Sequence, residues 1–183
     1  MTKYFSLLLI FFITNSIAQQ SKLSMAVNSI SEYIASEKFV EMRYFSGDLI
    51  SVDSLYQKAL EINNYDYGEA LLSLMFATVP YREVPIKFPL LNIIIYYPLI
   101  SADEETFLKK NENLPRFLFI DTPQNNYGDL DKLAHFFGSA FLSYESNIFD
   151  LGELIGYFVE AFEESFKVQS EIDYRDIDVN YYG

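Results

Sequence analysis

A single histidine, His135, occurs in the 183 residues, and most polar groups whose spacing suggests chemistry lie around or after it. Asp131 precedes it by four positions in DLDKLAHFF, so the two share one face of a helix, with Lys132 beside them. Glu160 and Glu164 repeat that spacing in GYFVEAFEE, with Glu163 between them, and Asp176 and Asn180 repeat it behind Arg175 in DYRDIDVNYYG. In a functional reading His135 is a general base or ligand oriented by Asp131, and Glu160 or Asp176 completes the site. In a structural reading Asp131, Lys132, His135, Glu160, Glu163, Arg175, Asp176 and Asn180 form a buried hydrogen-bonded network that fixes how helices dock. We adopt the structural reading and keep the enzyme or ligand site at Asp131, His135, Glu160 and Asp176 as the alternative.

Other chemistries fare worse. One histidine among carboxylates makes a poor zinc site, and an oxygen-rich magnesium or calcium site has no need of it, so neither metal nor cofactor is expected. Ser139 and Ser143 stand near His135, but nothing resembles the nucleophile turn of a hydrolase. The chain has no cysteine, which excludes thiolate catalysis and disulfides alike.

The segments that must position these residues divide by composition. All six prolines fall between residues 80 and 123, and five of the seven glycines fall from Gly128 onward. Residues 19–79 read as helical: Leu23, Ala26, Val27, Ile30 and Ile34 recur at helical spacing from Lys22 to Ala35. Asp53 reads as an N-cap for SLYQKALEI and Asp66 as one for YGEALLSLMFATV. Residues 80–128 read as an irregular, proline-rich extended wrap over the helices, holding a short strand in NIIIYY and a short capped helix in SADEETFLKKN, with Ser101 or Asp103 near its start and Lys109 and Lys110 at its end. Residues 129–183 carry two helical patterns, DLDKLAHFFGSAFLSYE and DLGELIGYFVEAFEESFKV, expected to pair as a helical hairpin with Gly138, Gly152 and Gly156 allowing close approach. The fold class expected is mainly α, in one domain over 19–183.

The first residues, MTKYFSLLLIFFITNSIAQQ, join a basic flank, an apolar run from Phe5 to Ile13 and small residues at Ser16 and Ala18. This predicts a signal peptide over 1–18, cleaved after Ala18, and export to the periplasm or cell envelope of a bacterium. No later run approaches the roughly 20 apolar residues of a spanning helix, which leaves peripheral membrane association open. Cleavage removes Lys3 and no acid, taking the formal charge from -13 to -14. So acidic a chain is a poor partner for nucleic acid or anionic lipid. The partner is otherwise unknown; an envelope protein or a lipid-like ligand meeting the aromatic surface is the expectation.

The polar residues of the C-terminal third also form a recognisable order. Asp131-Lys132, His135-Phe136, Gly156 followed by Glu160, then Arg175-Asp176, Asn180 and Gly183 resemble the VanZ-like family and the related YfiM-type envelope lipoproteins. Those proteins share a DKxxHF helix, a helix with an inward glutamate and a D-x-x-x-N-x-x-G ending; the corresponding pieces here are DKLAHF, GYFVEAFEE and DIDVNYYG. The resemblance covers residues 129–183, and residues 19–120 are not explained by it. Glu160-x-x-Glu163 stands where the family tends to have Glu-x-x-Gln, and Gly183 is the last residue where relatives commonly continue into another apolar helix. The resemblance implies an envelope setting and no reaction, since neither family has an established one; a resistance role is not carried over.

Overall fold

The computed structural model describes residues 21–88, 93–145 and 174–183. Among them are seven helices and one two-stranded sheet, a mainly α fold as the periodicity predicts. Helix α1, Lys22–Ala35, begins at Ser21, whose hydroxyl accepts the Ser24 amide, and it buries Ala26, Val27, Ile30 and Ile34 on one stripe. Ser36 ends it and caps α2, Glu37–Ser46, by accepting the Phe39 amide. Gly47 then turns the chain at φ +82°, a conformation that favours glycine, and α3 runs Asp48–Ile62.

Asp53 is therefore not a cap: it lies inside α3, one and a half turns after the true start. The Asp48 carboxylate occupies the new helix N-terminus, where the helix dipole favours an anion. It accepts Arg43 Nε at 2.6 Å and the backbone amides of Arg116 and Phe117 at 2.9 and 2.8 Å. Burial works against its charge, but the Arg43 bond, the two amides and the Arg43 cation outweigh this and hold the carboxyl below its ordinary range.

Helix α4, Tyr67–Thr78, starts at the expected cap, with Asp66 accepting the Glu69 amide at 3.0 Å. Ala70, Leu71, Ser73, Leu74, Met75, Ala77 and Thr78 are all buried, so this helix is wrapped rather than one-sided. It packs against α1, α3 and α6, where α6 spans Lys132–Glu145. A Cβ on Gly138 of α6 would sit 3.2 Å from the Met75 sulfur, the close approach that its position on an apolar helix suggests. The main core, including Ile30, Phe39, Leu55, Leu74 and Phe137, lies where these helices meet.

Helix α5, Glu104–Asn113, is capped by Asp103 and packs on α1. Its Lys110 is 1% exposed and donates to the Val79 carbonyl at 2.6 Å, while Asn111 donates to the Pro80 carbonyl at 3.2 Å. Both satisfy acceptors just past the end of α4, where carbonyls lack helical partners and a cation is favoured. Helix α7, Tyr174–Tyr182, packs on α6. A Cβ on Gly183 would collide with the Phe136 carbonyl of α6, so the chain end lies directly against that helix.

Within 80–128 the strand expected in NIIIYY is present, and the departure from an irregular wrap is its mate over 83–88. Strand β1, Glu83–Phe88, pairs antiparallel with β2, Ile93–Pro98, in the register Val84 to Tyr97, Ile86 to Ile95 and Phe88 to Ile93. Pro85 sits inside β1, which a two-stranded ribbon tolerates because each strand keeps one free edge. Among the described residues the strands pack chiefly on each other and not on a helix. The second partner of the expected helical hairpin, with Gly152, Gly156, Glu160, Glu163 and Glu164, lies outside the described residues, as does the expected signal peptide.

Candidate functional site

Of the polar residues singled out in the sequence, Asp131, Lys132, His135 and Arg175 lie around the N-terminal end of α6, and beside them stands Asp129, which the four-residue spacing rule passed over. Gly128, at φ +56°, lies with its Cα against the Arg116 carbonyl, a site with no room for a Cβ. The chain pairs there through the Asp129 amide and Arg116 oxygen at 2.8 Å, which carries the Asp129 side chain into the interior. Asp129 is fully buried. Its Oδ2 accepts the Leu118 amide at 3.0 Å and the Thr122 hydroxyl, and its Oδ1 accepts Arg175 Nη2 at 2.5 Å. Arg175 also meets Asp121 through Nε at 3.2 Å and lies over the Phe119 ring, 5.7 Å from its centre. One carboxylate thus ties the 118–122 loop, the entry to α6 and the start of α7 together.

A carboxylate in that state is a poor catalytic base. Both oxygens are occupied by donors, and no surface is open to a substrate. The same features make it a good clamp, because removing the carboxylate strands the Leu118 amide and takes from Arg175 its buried partner, while the Thr122 hydroxyl keeps the Phe119 carbonyl at 2.7 Å.

The other predicted residues are placed as follows. Asp131 is buried just before α6; its Oδ1 accepts no hydrogen bond and lies 3.4 Å from the ammonium of the buried Lys132. His135 is half-buried one turn into α6, and its amide reaches the Asp131 carbonyl at 3.3 Å, so the two do share a face. Lys132, His135 and Arg175 are all engaged by neighbours. Ser139 donates to Asn180 Oδ1 at 3.0 Å, which places Asn180 of α7 against α6. Arg175 thus reaches Asp129 and Asp121, and Asn180 reaches Ser139. The side chain of Asp176, and all of Glu160 and Glu163, fall outside what is described. Among the described residues no cluster of three or more histidines and carboxylates has the geometry to hold a metal ion.

A second region has the opposite character. On β2, Ile93, Ile94, Ile95, Tyr96 and Tyr97 are each 43 to 58% exposed. Successive strand residues point to opposite faces, so this run is open on both sides of the ribbon. Isolated surface apolar residues are ordinary, whereas five in succession on a two-stranded ribbon form a patch of the kind that marks an interaction site. The Leu99 amide donates to the Arg82 carbonyl at 2.8 Å and closes the base of the ribbon, and the hydroxyls of Tyr81 and Tyr127, which meet at 2.5 Å, tie that base to the segment before α6. A second exposed apolar group, Tyr44, Phe45, Leu49 and Ile50, flanks the Gly47 elbow between α2 and α3. Among the described residues no helix is long and apolar enough to cross a membrane.

Asp129, Asp48 and the burial of Lys110 escaped the sequence reading. The available signal for Asp129 was the doubled acid in DLDK, of which only Asp131 can pair with His135 on a helix; the other had to serve something outside the helix. No family model, curated protein or solved structure matches the chain.

Proposed function

We propose that this is an exported protein of the bacterial cell envelope that acts by docking rather than by catalysis. Its apolar surface meets an envelope partner or lipid-like molecule, while the polar residues of the C-terminal third hold the helices in place. The observation that carries this reading is the run Ile93 to Tyr97, exposed on both faces of a ribbon anchored at its base. Each of the five keeps about half of its surface in water, and contact with an apolar partner recovers for each a corresponding part of the roughly 1.5–3 kcal/mol that full burial of a large apolar side chain is worth. The saturated state of Asp129 supports the structural role of the polar cluster. The leader-like N-terminus and the VanZ-like order of polar residues are both in keeping with an envelope setting.

The test is envelope retention in a bacterial host. The wild-type chain is expected to sediment with envelopes, and Ile94→Ser/Ile95→Ser to shift to the soluble exported fraction. Equal retention of the two would remove the ribbon from the account.

A further inference from the structure

We propose that the β1–β2 ribbon inserts into one leaflet of a lipid surface whose headgroups carry no net charge. This rests on the docking reading above and names the partner. Three features of the ribbon favour lipid over a protein surface or a second copy of the chain.

The first is exposure on both faces. A protein groove or a facing sheet covers one side of a strand, and residues pointing the other way gain nothing. On β2 Ile94 and Ile95 point to opposite sides and are 43% and 49% exposed, so covering both needs an environment that surrounds the ribbon.

The second is the order of side-chain types along the ribbon. Tyr96 and Tyr97 lie at its base, opposite Pro85 and Val84, and Ile95, Ile94 and Ile93 follow toward the turn, opposite Ile86, Lys87 and Phe88. Aromatic residues with a polar tip favour the headgroup level and aliphatic ones the acyl chains. Six residues of strand rise about 20 Å. One leaflet contributes about half of a roughly 30 Å hydrocarbon core, so the ribbon reaches into a single leaflet and does not span. Its edge amides also limit the depth, because unpaired backbone groups need headgroup oxygens or water.

The third is charge. A formal charge of -13 repels both a second copy of the chain and an anionic bilayer, and it leaves an uncharged or zwitterionic surface as the compatible one. Edge pairing with another copy is further opposed by Pro85, which lacks an amide donor, and by the charge of Lys87 on the same strand. The apolar elbow at Gly47 lies on helices and lacks the ribbon's order of tyrosines at the base and isoleucines beyond, so it serves as the internal control.

The chain contains no tryptophan, so Ile95→Trp places a single indole on the ribbon, and Leu49→Trp places one at the elbow. Each full-length variant is mixed with phosphatidylcholine vesicles whose acyl chains carry bromine as a contact quencher. The indole at 95 is expected to shift its emission to shorter wavelength and lose most of its intensity, and the indole at 49 to keep both. Because the reporter sits on the ribbon, anchoring by any other segment does not produce this signal. An indole at 95 that stays unquenched on lipid but shifts on native envelopes overturns the lipid assignment and leaves docking to an envelope protein. One that responds to neither overturns the docking reading as well. Quenching at 49 without quenching at 95 moves the lipid contact to the elbow and overturns this proposal.

Discussion

Replacing Asp129 with alanine removes the acceptor of three donors at once: Arg175 Nη2, the Leu118 amide and the Thr122 hydroxyl. Breaking a buried ion pair by deleting one partner costs about 3–5 kcal/mol, because the other charge is left without compensation. Arg175 keeps a fifth of its side chain in solvent and still has Asp121 at 3.2 Å, which places its share at the low end. The stranded Leu118 amide adds about 1–3 kcal/mol if water cannot reach it, whereas the Thr122 hydroxyl keeps the Phe119 carbonyl as its acceptor. A total near 4 kcal/mol, at about 2–4 °C per kcal/mol for a chain of this size, lowers the melting temperature by about 8–16 °C. Thermal unfolding followed by circular dichroism reads this directly. Asp129→Asn, which keeps one carbonyl acceptor and loses the charge, is expected to lose less. A cycle with Arg175→Gln should give a coupling of about 0.5–3 kcal/mol, as for residues in one network. An Asp129→Ala melting temperature within about 2 °C of wild type would refute the reasoning, since that is under 1 kcal/mol.

Other perturbations test other joints. Lys110 is pushed down to about 7 by burial, whereas an unfolded lysine holds its proton to about 10.4. Between these values the unfolded chain binds more protons, so the lysine's contribution improves as pH rises from 7 to 10. The stability of Lys110→Met relative to wild type is therefore expected to decline over that range in denaturant titrations; a pH-independent difference would contradict it. Asp48 is held below its ordinary range, so its contribution is present above about pH 4, the unfolded value, and is lost as pH falls through the lower folded one. Asp48→Asn is expected to lower stability at neutral pH by about 1–3 kcal/mol, with the gap to wild type closing in acid; a gap that widens there would be the wrong sign. Gly128→Ala sets a left-handed φ against a Cβ that meets the Arg116 carbonyl. A loss of more than about 1 kcal/mol is expected by chemical unfolding, and an unchanged midpoint would show that the turn can reorganise.

Periodicity and caps carried much of the fold. The bounds of α1 and the Asp66 cap of α4 each follow from a local pattern of a few residues, and of the two starts offered for α5, Ser101 or Asp103, it is Asp103 that caps the helix. Asp53 misled because it precedes a good helical run, yet Gly47 and Asp48 had already started the helix five residues earlier. That start depends on Arg43 and on amides at 116 and 117, and the amides are distant in sequence. The ribbon was half legible: NIIIYY reads as a strand, but its mate EVPIKF contains a proline that argues against any strand. Only pairing across the turn rescues it. Asp129 shows the same limit most sharply. Its partners come from residues 118, 122 and 175, and no spacing rule within one helix reports a contact between elements.

His135 and the ribbon carry competing accounts of what this chain is for, and one paired measurement separates them: melting temperature and envelope retention for His135→Ala and for Ile94→Ser/Ile95→Ser. The account expects the histidine variant to melt lower while retention of the folded protein is unchanged. It expects the ribbon variant to melt within about 0.5 kcal/mol of wild type, as exposed substitutions do, and to leave the envelope fraction. A histidine variant that melts normally and is released, beside a ribbon variant that stays bound, would put the functional centre at His135 and contradict the account.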